Sequence, residues 1–285
     1  MLNLLKQIIY KTIKKLGYTV EKNKPVGKNF DILYPQKLQN DFEEIKKLNG
    51  FLNIEEMNLF ANLINAQPQN NNPILEIGVF CGRSLTAMAC VSNLKTVGVD
   101  PFFEDFNNKY AVKDEAIYLA RKTGQTTAQE RIKKIYNSLK ILDKKNKTNL
   151  KNLVKLEIKL QDEFIKNRNK EEKYQLIHID GEHSYGAVKD IIDEFDNLLV
   201  PSSIIIIDDF LNYSHPGIAE ATYSHPNYKK TIFPILYGFN KGVFMFKPKS
   251  QEYLNEIRNK ILAPYSRSLH QINKLSDKSI TIRLL

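Results

Sequence analysis

The stretch Ile74-Leu75-Glu76-Ile77-Gly78-Val79-Phe80-Cys81-Gly82-Arg83-Ser84 constrains the fold of this chain more than any other. An apolar run ends in an acid, passes through a glycine-rich turn and enters a helical run over Leu85 to Val91. Glycine permits a positive φ and a close approach of a ligand to the backbone. The helix start that follows offers unpaired N–H groups to an anionic ligand group. About twenty residues on, a second apolar run, Thr96-Val97-Gly98-Val99, also ends in an acid, Asp100. An acid at that place accepts hydrogen bonds from ribose hydroxyls. The pattern predicts a nucleoside-type cofactor on a doubly wound α/β sheet.

Strand and helix signals then alternate along the chain. Strands are expected at Ile74–Ile77, Thr96–Val99, Val154–Ile158, Gln175–Ile179 and Ser203–Ile207, with a helix near Ala187–Leu199. Two further runs, Thr231–Leu236 and Gly242–Phe246, flank a turn-like stretch and read as an antiparallel pair at the sheet edge. The fold class is therefore α/β: a doubly wound, Rossmann-like, mostly parallel sheet with an antiparallel edge. Residues 1–40 read as an N-terminal basic amphipathic helix and linker, residues 41–250 as the main domain and residues 251–285 as a helix and tail. Residues 41–66 supply one or two helices that lead into the sheet. A polar, helical insertion at about 102–150 is expected to act as a lid, because insertions at strand ends of such sheets shape substrate sites.

Charge bears on partners. The chain of 285 residues carries a formal +10. Residues 1–28 hold seven lysines and one glutamate, and residues 121–155 hold eleven basic residues and two acids, so the remainder is net −5. The basic balance belongs to two flanking segments and not to the glycine and acid motifs. Those segments suit an anionic partner, or they are simply solvated lysine-rich helices. In residues 1–17, Leu5, Ile9, Ile13 and Leu16 share a helical face, with lysines elsewhere. Such a helix lies on an anionic membrane, or packs on the main domain or on a second subunit of a homo-oligomer. Cys81 and Cys90 make neither a disulfide framework nor a metal-ligand pattern, which fits a reducing cytoplasm. No apolar run is long enough to span a bilayer, and the N-terminus lacks the features of a secretory signal.

Two acidic motifs fall at strand ends, where ligands of open parallel sheets bind. They are Ile179-Asp180-Gly181-Glu182-His183-Ser184-Tyr185 and Ile207-Asp208-Asp209-Phe210. Gathering carboxylates is costly unless cations or donors compensate them. Asp180, Asp208 and Asp209 thus read as an all-oxygen site for Mg²⁺ or a similar hard cation. The alternative is that Asp208 and Asp209 cap turns while Asp180 orients a loop. His178 alternates with isoleucines in a strand and reads as structural. His215 and His225, each followed by proline, fall in a loop without an assigned role.

In order, the set Glu76-x-Gly78-x-x-x-Gly82, Asp100, the 179–185 segment and Asp208-Asp209 resembles the class I S-adenosylmethionine-dependent methyltransferases. Within that class it is most similar to the metal-dependent sugar O-methyltransferases of the macrolide and aminocoumarin type, over roughly residues 70–247. The resemblance implies that Gly78, Val79, Phe80 and Gly82 line the methionine part of the cofactor, supported by Glu76 and Ser84. It implies that Asp100 holds the ribose, that Asp162 sits near the adenine, and that Asp180 lies by the cofactor. Asp180, Asp208 and Asp209 match the residues that bind Mg²⁺. Glu182 occupies the place of a general base, with His183 as the competing candidate. The expected reaction is methyl transfer to a hydroxyl of a sugar or other small metabolite. An RNA methyltransferase, or a non-catalytic glycan-assembly or membrane-docking protein that retains the fold, is the alternative. Nucleic acid is disfavoured as a partner, because no recognised nucleic-acid motif or basic–aromatic interleaving lies near the strand ends. A nicotinamide dehydrogenase fits less well, since the glycine spacing is not G-x-G-x-x-G.

Overall fold

The computed structural model describes residues 35–67, 71–102, 127–262, 272–275 and 278–282. The amphipathic helix expected over 1–17, the linker up to residue 34 and the 103–126 part of the insertion lie outside the described residues. Helices α1 (Gln36–Ile45) and α2 (Ile54–Ala66) come first. The linker expected to reach residue 40 therefore ends sooner: α1 starts directly after Pro35 and buries Leu38 and Ile45. Helix α2 opens with a capping box, in which Asn53 accepts from the Glu56 N–H and Glu56 accepts from the Asn53 N–H.

The sheet then builds as β1 (Ile74–Ile77), α3 (Arg83–Ser92), β2 (Thr96–Val99), α4 (Ala128–Asn146), α5 (Leu150–Leu153), β3 (Val154–Glu157), α6 (Gln161–Asn167) and β4 (Tyr174–Ile179). It continues through α7 (Tyr185–Asp193), α8 (Phe195–Leu198), β5 (Leu199–Ile207), α9 (Pro216–Ser224), β6 (Ile232–Gly238), β7 (Lys241–Phe246), α10 (Gln251–Leu262), β8 (Ile272–Leu275) and β9 (Lys278–Ile282). The strand order is β3-β2-β1-β4-β5-β7-β6-β9-β8. Strands β1 to β5 are parallel, and β7 runs antiparallel to β5. This is the doubly wound, Rossmann-like sheet expected from the sequence, and its order reverses between β1 and β4, which is where such sheets bind ligands.

Apart from shifts of one or two residues at the ends of β3, β4, β6 and β7, three further features differ from the sequence reading. Strand β5 starts at Leu199 and not at Ser203 as expected, and the helical run before it breaks after Asp193 and again after Leu198. The β6–β7 pair does not end the sheet: β9 pairs with β6, and β8 pairs with β9. The expected lid is in its second half the crossover from β2 to β3. There α4 buries Ile135, Leu139 and Leu142 and packs on the helices α1, α3 and α5, and its first turns reach the strand ends.

One face of the sheet carries Leu75, Ile77, Val97, Val99, Ile177, Ile179, Ile205 and Ile207 into a core with Val188, Ile191 and Phe195. The period of two puts Glu76 and His178 on the opposite face. They are directly opposed in the β1–β4 register, and Phe60 of α2 packs edge-on against the His178 ring at 5.3 Å. No helix among the described residues is long and apolar enough to cross a membrane.

Candidate active site

The carboxyl ends of β1, β2, β4 and β5, with the β6–β7 turn, surround a cavity of about 1390 Å³. Single small-molecule pockets span roughly 300–1,000 Å³, so this one has room for two ligands side by side.

The glycine loop forms its floor. Gly78 has φ +90° and Gly82 has φ +82°, both in the left-handed region. A Cβ at Gly78 would lie 2.0 Å from the Asp180 carbonyl oxygen, and one at Gly82 would lie 2.4 Å from Ile135 Cγ1. Only glycine lets the loop fit between β4 and α4. Asp100 locks the same loop from below. Its Oδ2 accepts the N–H groups of Val79 (2.9 Å) and Phe80 (2.8 Å), and its Oδ1 accepts that of Phe102 (2.6 Å). Burial pushes the Asp100 carboxyl pKa upward against these amide donors. A carboxylate has about four acceptor sites, so one remains for a ligand. Val79, Phe80, Ser84, Asp100, Asp162 and Asp180 all line the cavity, with Asp162 exposed at its rim.

Glu76, expected among the cofactor-binding residues, does not line the cavity and is fully buried. Its Oε1 stands 2.8 Å from His178 Nδ1, while Glu76 Oε2 and His178 Nε2 are buried with no hydrogen-bond partner among the described residues. Burial raises the Glu76 pKa. Burial opposes charge on His178, but Glu76 outweighs it and raises the His178 pKa too, so the pair holds its proton tightly.

The three aspartates expected to bind Mg²⁺ do not converge as one donor set. Lys241, buried at the start of β7, donates to Asp208 Oδ1 at 2.6 Å and lies 3.0 Å from Glu56 Oε1. Burial works against the Lys241 charge, but Asp208, Glu56 and Asp180 together raise its pKa. Burial also tends to raise both aspartates; Asp208 adds to this for Asp180, whereas Lys241 and His178 reverse it for Asp208. The ammonium thus supplies the positive charge that a hard cation would bring to Asp208. Asp209 turns away, with φ +52°, and joins His183 and His215, while Asp180 and Asp208 group with His178. In this arrangement the three carboxylates therefore do not share one cation position.

Of the two candidate bases, Glu182 is exposed on the cavity wall, with no hydrogen-bond partner among the described residues. His183 lies between two carboxylates: Nδ1 is 3.1 Å from Asp209 Oδ2, and Nε2 is 3.4 Å from Asp180 Oδ1. Burial would lower its pKa, but Asp180 and Asp209 lift it to about 9. In the metal-free chain His183 is therefore already protonated at neutral pH and is a poor proton acceptor.

Several site residues left no signal in the sequence. Arg83 donates to the carbonyls of Leu48 (2.8 Å), Leu52 (3.2 Å) and Lys46 (3.0 Å), clasping the α1–α2 loop to the glycine loop. Arg131 is buried, lies 5.5 Å over the Phe102 ring and adds positive charge near Asp100. Lys241 was detectable only as a cation directly before an apolar strand. Cys81 and Cys90 are buried free thiols, and burial pushes both up to about 12, so they stay protonated.

Residues 75–210, a little under half of the chain, match a family described as a methyltransferase domain. That match and the reversed strand β7 beside β5 define a Rossmann-like methyltransferase fold. No curated protein sequence matches the chain. Among solved structures, the chain is similar in course to an O-methyltransferase of tomaymycin synthesis from Streptomyces achromogenes, in complex with S-adenosylmethionine. That likeness has 12% identity and a TM-score of 0.46, over 75% of this chain and 91% of the other. A TDP-rhamnose 3′-O-methyltransferase of calicheamicin biosynthesis aligns at 14% identity and TM-score 0.44, over 84% and 93%. A Bacillus cereus O-methyltransferase in complex with SAH aligns at 16% and 0.43, over 76% and 94%.

Proposed function

We propose that this chain is an S-adenosylmethionine-dependent methyltransferase that acts on a hydroxyl of a small acceptor such as a sugar. The observation that carries the reading is the glycine loop, locked by Asp100 at the edge of a cavity with room for two ligands. When bound, the cofactor supplies a methyl group on a sulfonium. Asp100, Asp162, Asp180 and Glu182 give the cavity an acidic lining that suits the positive charge of such a ligand. The bare backbone at Gly78 admits the methionine end, with Ser84 at the start of α3 beside it; Gly82, expected to line this part too, is packed against Ile135 and does not reach the cavity. The remaining acceptor site on Asp100 takes a ribose hydroxyl, and Asp162 stands toward the adenine.

Glu182 is the residue that accepts the acceptor hydroxyl's proton, since His183 already carries one. Positioning supplies most of the rate for such a transfer, and a base in reach adds about 10²–10⁴-fold. The test has two parts. Calorimetry of S-adenosylmethionine with wild-type chain and Asp100→Ala should give binding in the first and none in the second. Release of S-adenosylhomocysteine over a panel of sugars and other hydroxyl acceptors should fall by about 10²-fold or more in Glu182→Gln, with cofactor binding intact. No cofactor binding by folded wild-type protein overturns the reading.

A further inference from the structure

Beyond methyl transfer, we propose that His183, Asp209 and His215 form a binding site for a borderline divalent transition metal of the Zn²⁺ or Co²⁺ kind. The three residues come from different segments: the β4–α7 loop, the end of β5 and the residue before Pro216 of α9. One ligand atom from each lies within 4.8 Å of the others. His183 Nδ1 is 3.1 Å and His215 Nε2 is 3.8 Å from the same oxygen, Asp209 Oδ2. Metal–ligand bonds of about 2.0–2.1 Å in a tetrahedral shell place ligand atoms roughly 3.3 Å apart. The observed separations bracket that value.

The surroundings hold the ligands as a metal site needs. Asp209 Oδ1 is occupied by Asn212 Nδ2 (3.1 Å) and Asn240 Nδ2 (2.5 Å), which turns Oδ2 toward the two imidazoles. The other His183 nitrogen, Nε2, lies 3.4 Å from Asp180 Oδ1 without a hydrogen bond, so Asp180 places a negative charge beside the imidazole. The two rings meet edge-on at 4.8 Å between centroids. Asp209 keeps a left-handed φ of +52°, a strained conformation at which a non-glycine side chain is re-aimed. Two imidazoles with one carboxylate select zinc, cobalt or nickel over magnesium, which prefers oxygen alone. All three residues line the cavity, so the coordination positions they leave unfilled face its interior.

The test uses the full-length, chelator-treated chain without cofactor, so that it is independent of methyl transfer. Titration with Co²⁺ is followed by visible d–d absorption, and titration with Zn²⁺ by calorimetry. One ion per chain is expected, with the Co²⁺ bands displaced by Zn²⁺ and untouched by excess Mg²⁺. His215→Ala should abolish the bands while the thermal midpoint of the metal-free chain stays put. Asn240→Ala, which removes one of the two amide donors that hold Asp209 Oδ1, should weaken binding about 10–100-fold. Absence of stoichiometric Co²⁺ and Zn²⁺ binding overturns the proposal. So does binding that survives His215→Ala, or displacement by equimolar Mg²⁺.

Discussion

Lys241 allows a quantitative test of how the acidic centre is held together. Its side chain is 4% exposed and faces Asp208 at 2.6 Å and Glu56 at 3.0 Å, which are 19% and 12% exposed. At an effective dielectric of about 20, each contact is worth about 6 kcal/mol of Coulomb attraction. Removing three charged groups from water costs several kcal/mol for each, so the net value of the cluster is small. Breaking it from one side is different, because Lys241→Met fills nearly the same volume and leaves two carboxylates uncompensated. The expected loss is about 3–5 kcal/mol. For a chain of this size that lowers the thermal midpoint on the order of 10 °C. The double variant Lys241→Met/Asp208→Asn should recover at least half of the loss, since it removes the stranded charge nearest the ammonium. Urea denaturation of the four members of the cycle reads both quantities. A Lys241→Met loss below about 1 kcal/mol, typical of a solvated surface pair, would refute the reasoning.

Other perturbations probe the remaining parts of the site. Gly78→Ala forces a Cβ against the Asp180 carbonyl at a positive φ; about 1–2 kcal/mol of backbone cost plus the clash should abolish cofactor binding, as read by calorimetry on folded protein. Arg83→Ala releases three carbonyls of the α1–α2 loop, and hydrogen exchange over residues 46–52 should speed up while the β1 and β4 amides stay protected. His178 has a raised pKa in the folded chain, so its stabilisation is complete below about pH 6.5 and is lost as pH rises through the folded value. The stability difference between wild type and His178→Gln should therefore shrink with rising pH in denaturant melts, and a difference that grows would contradict the Glu76 pairing.

The alternating pattern and the 74–84 stretch already contained the parallel sheet, because side-chain period and glycine punctuation are local properties. Strands β1 and β2 run over Ile74–Ile77 and Thr96–Val99, as read from the sequence. The placing of acids at strand ends was equally local, since a run of isoleucine that stops at Asp180 or Asp208 can only deliver the acid to the rim. What those acids touch was not local. Lys241 meets Asp208 because an antiparallel strand, β7, lies beside β5, and Glu56 joins them from a helix far earlier in the chain. Glu76 was marked by its motif as a support of the glycine loop, and only the β1–β4 register shows that it is opposed to His178 and that both are buried. Asp208 and Asp209 are sequence neighbours, yet a left-handed turn at Asp209 sends them to different partners. Sequence alone determined the class of fold and which end of the sheet gathers the candidate site residues. Tertiary structure decided which charges compensate which, because electrostatic partnership depends on distances of a few ångströms between segments that only packing brings together.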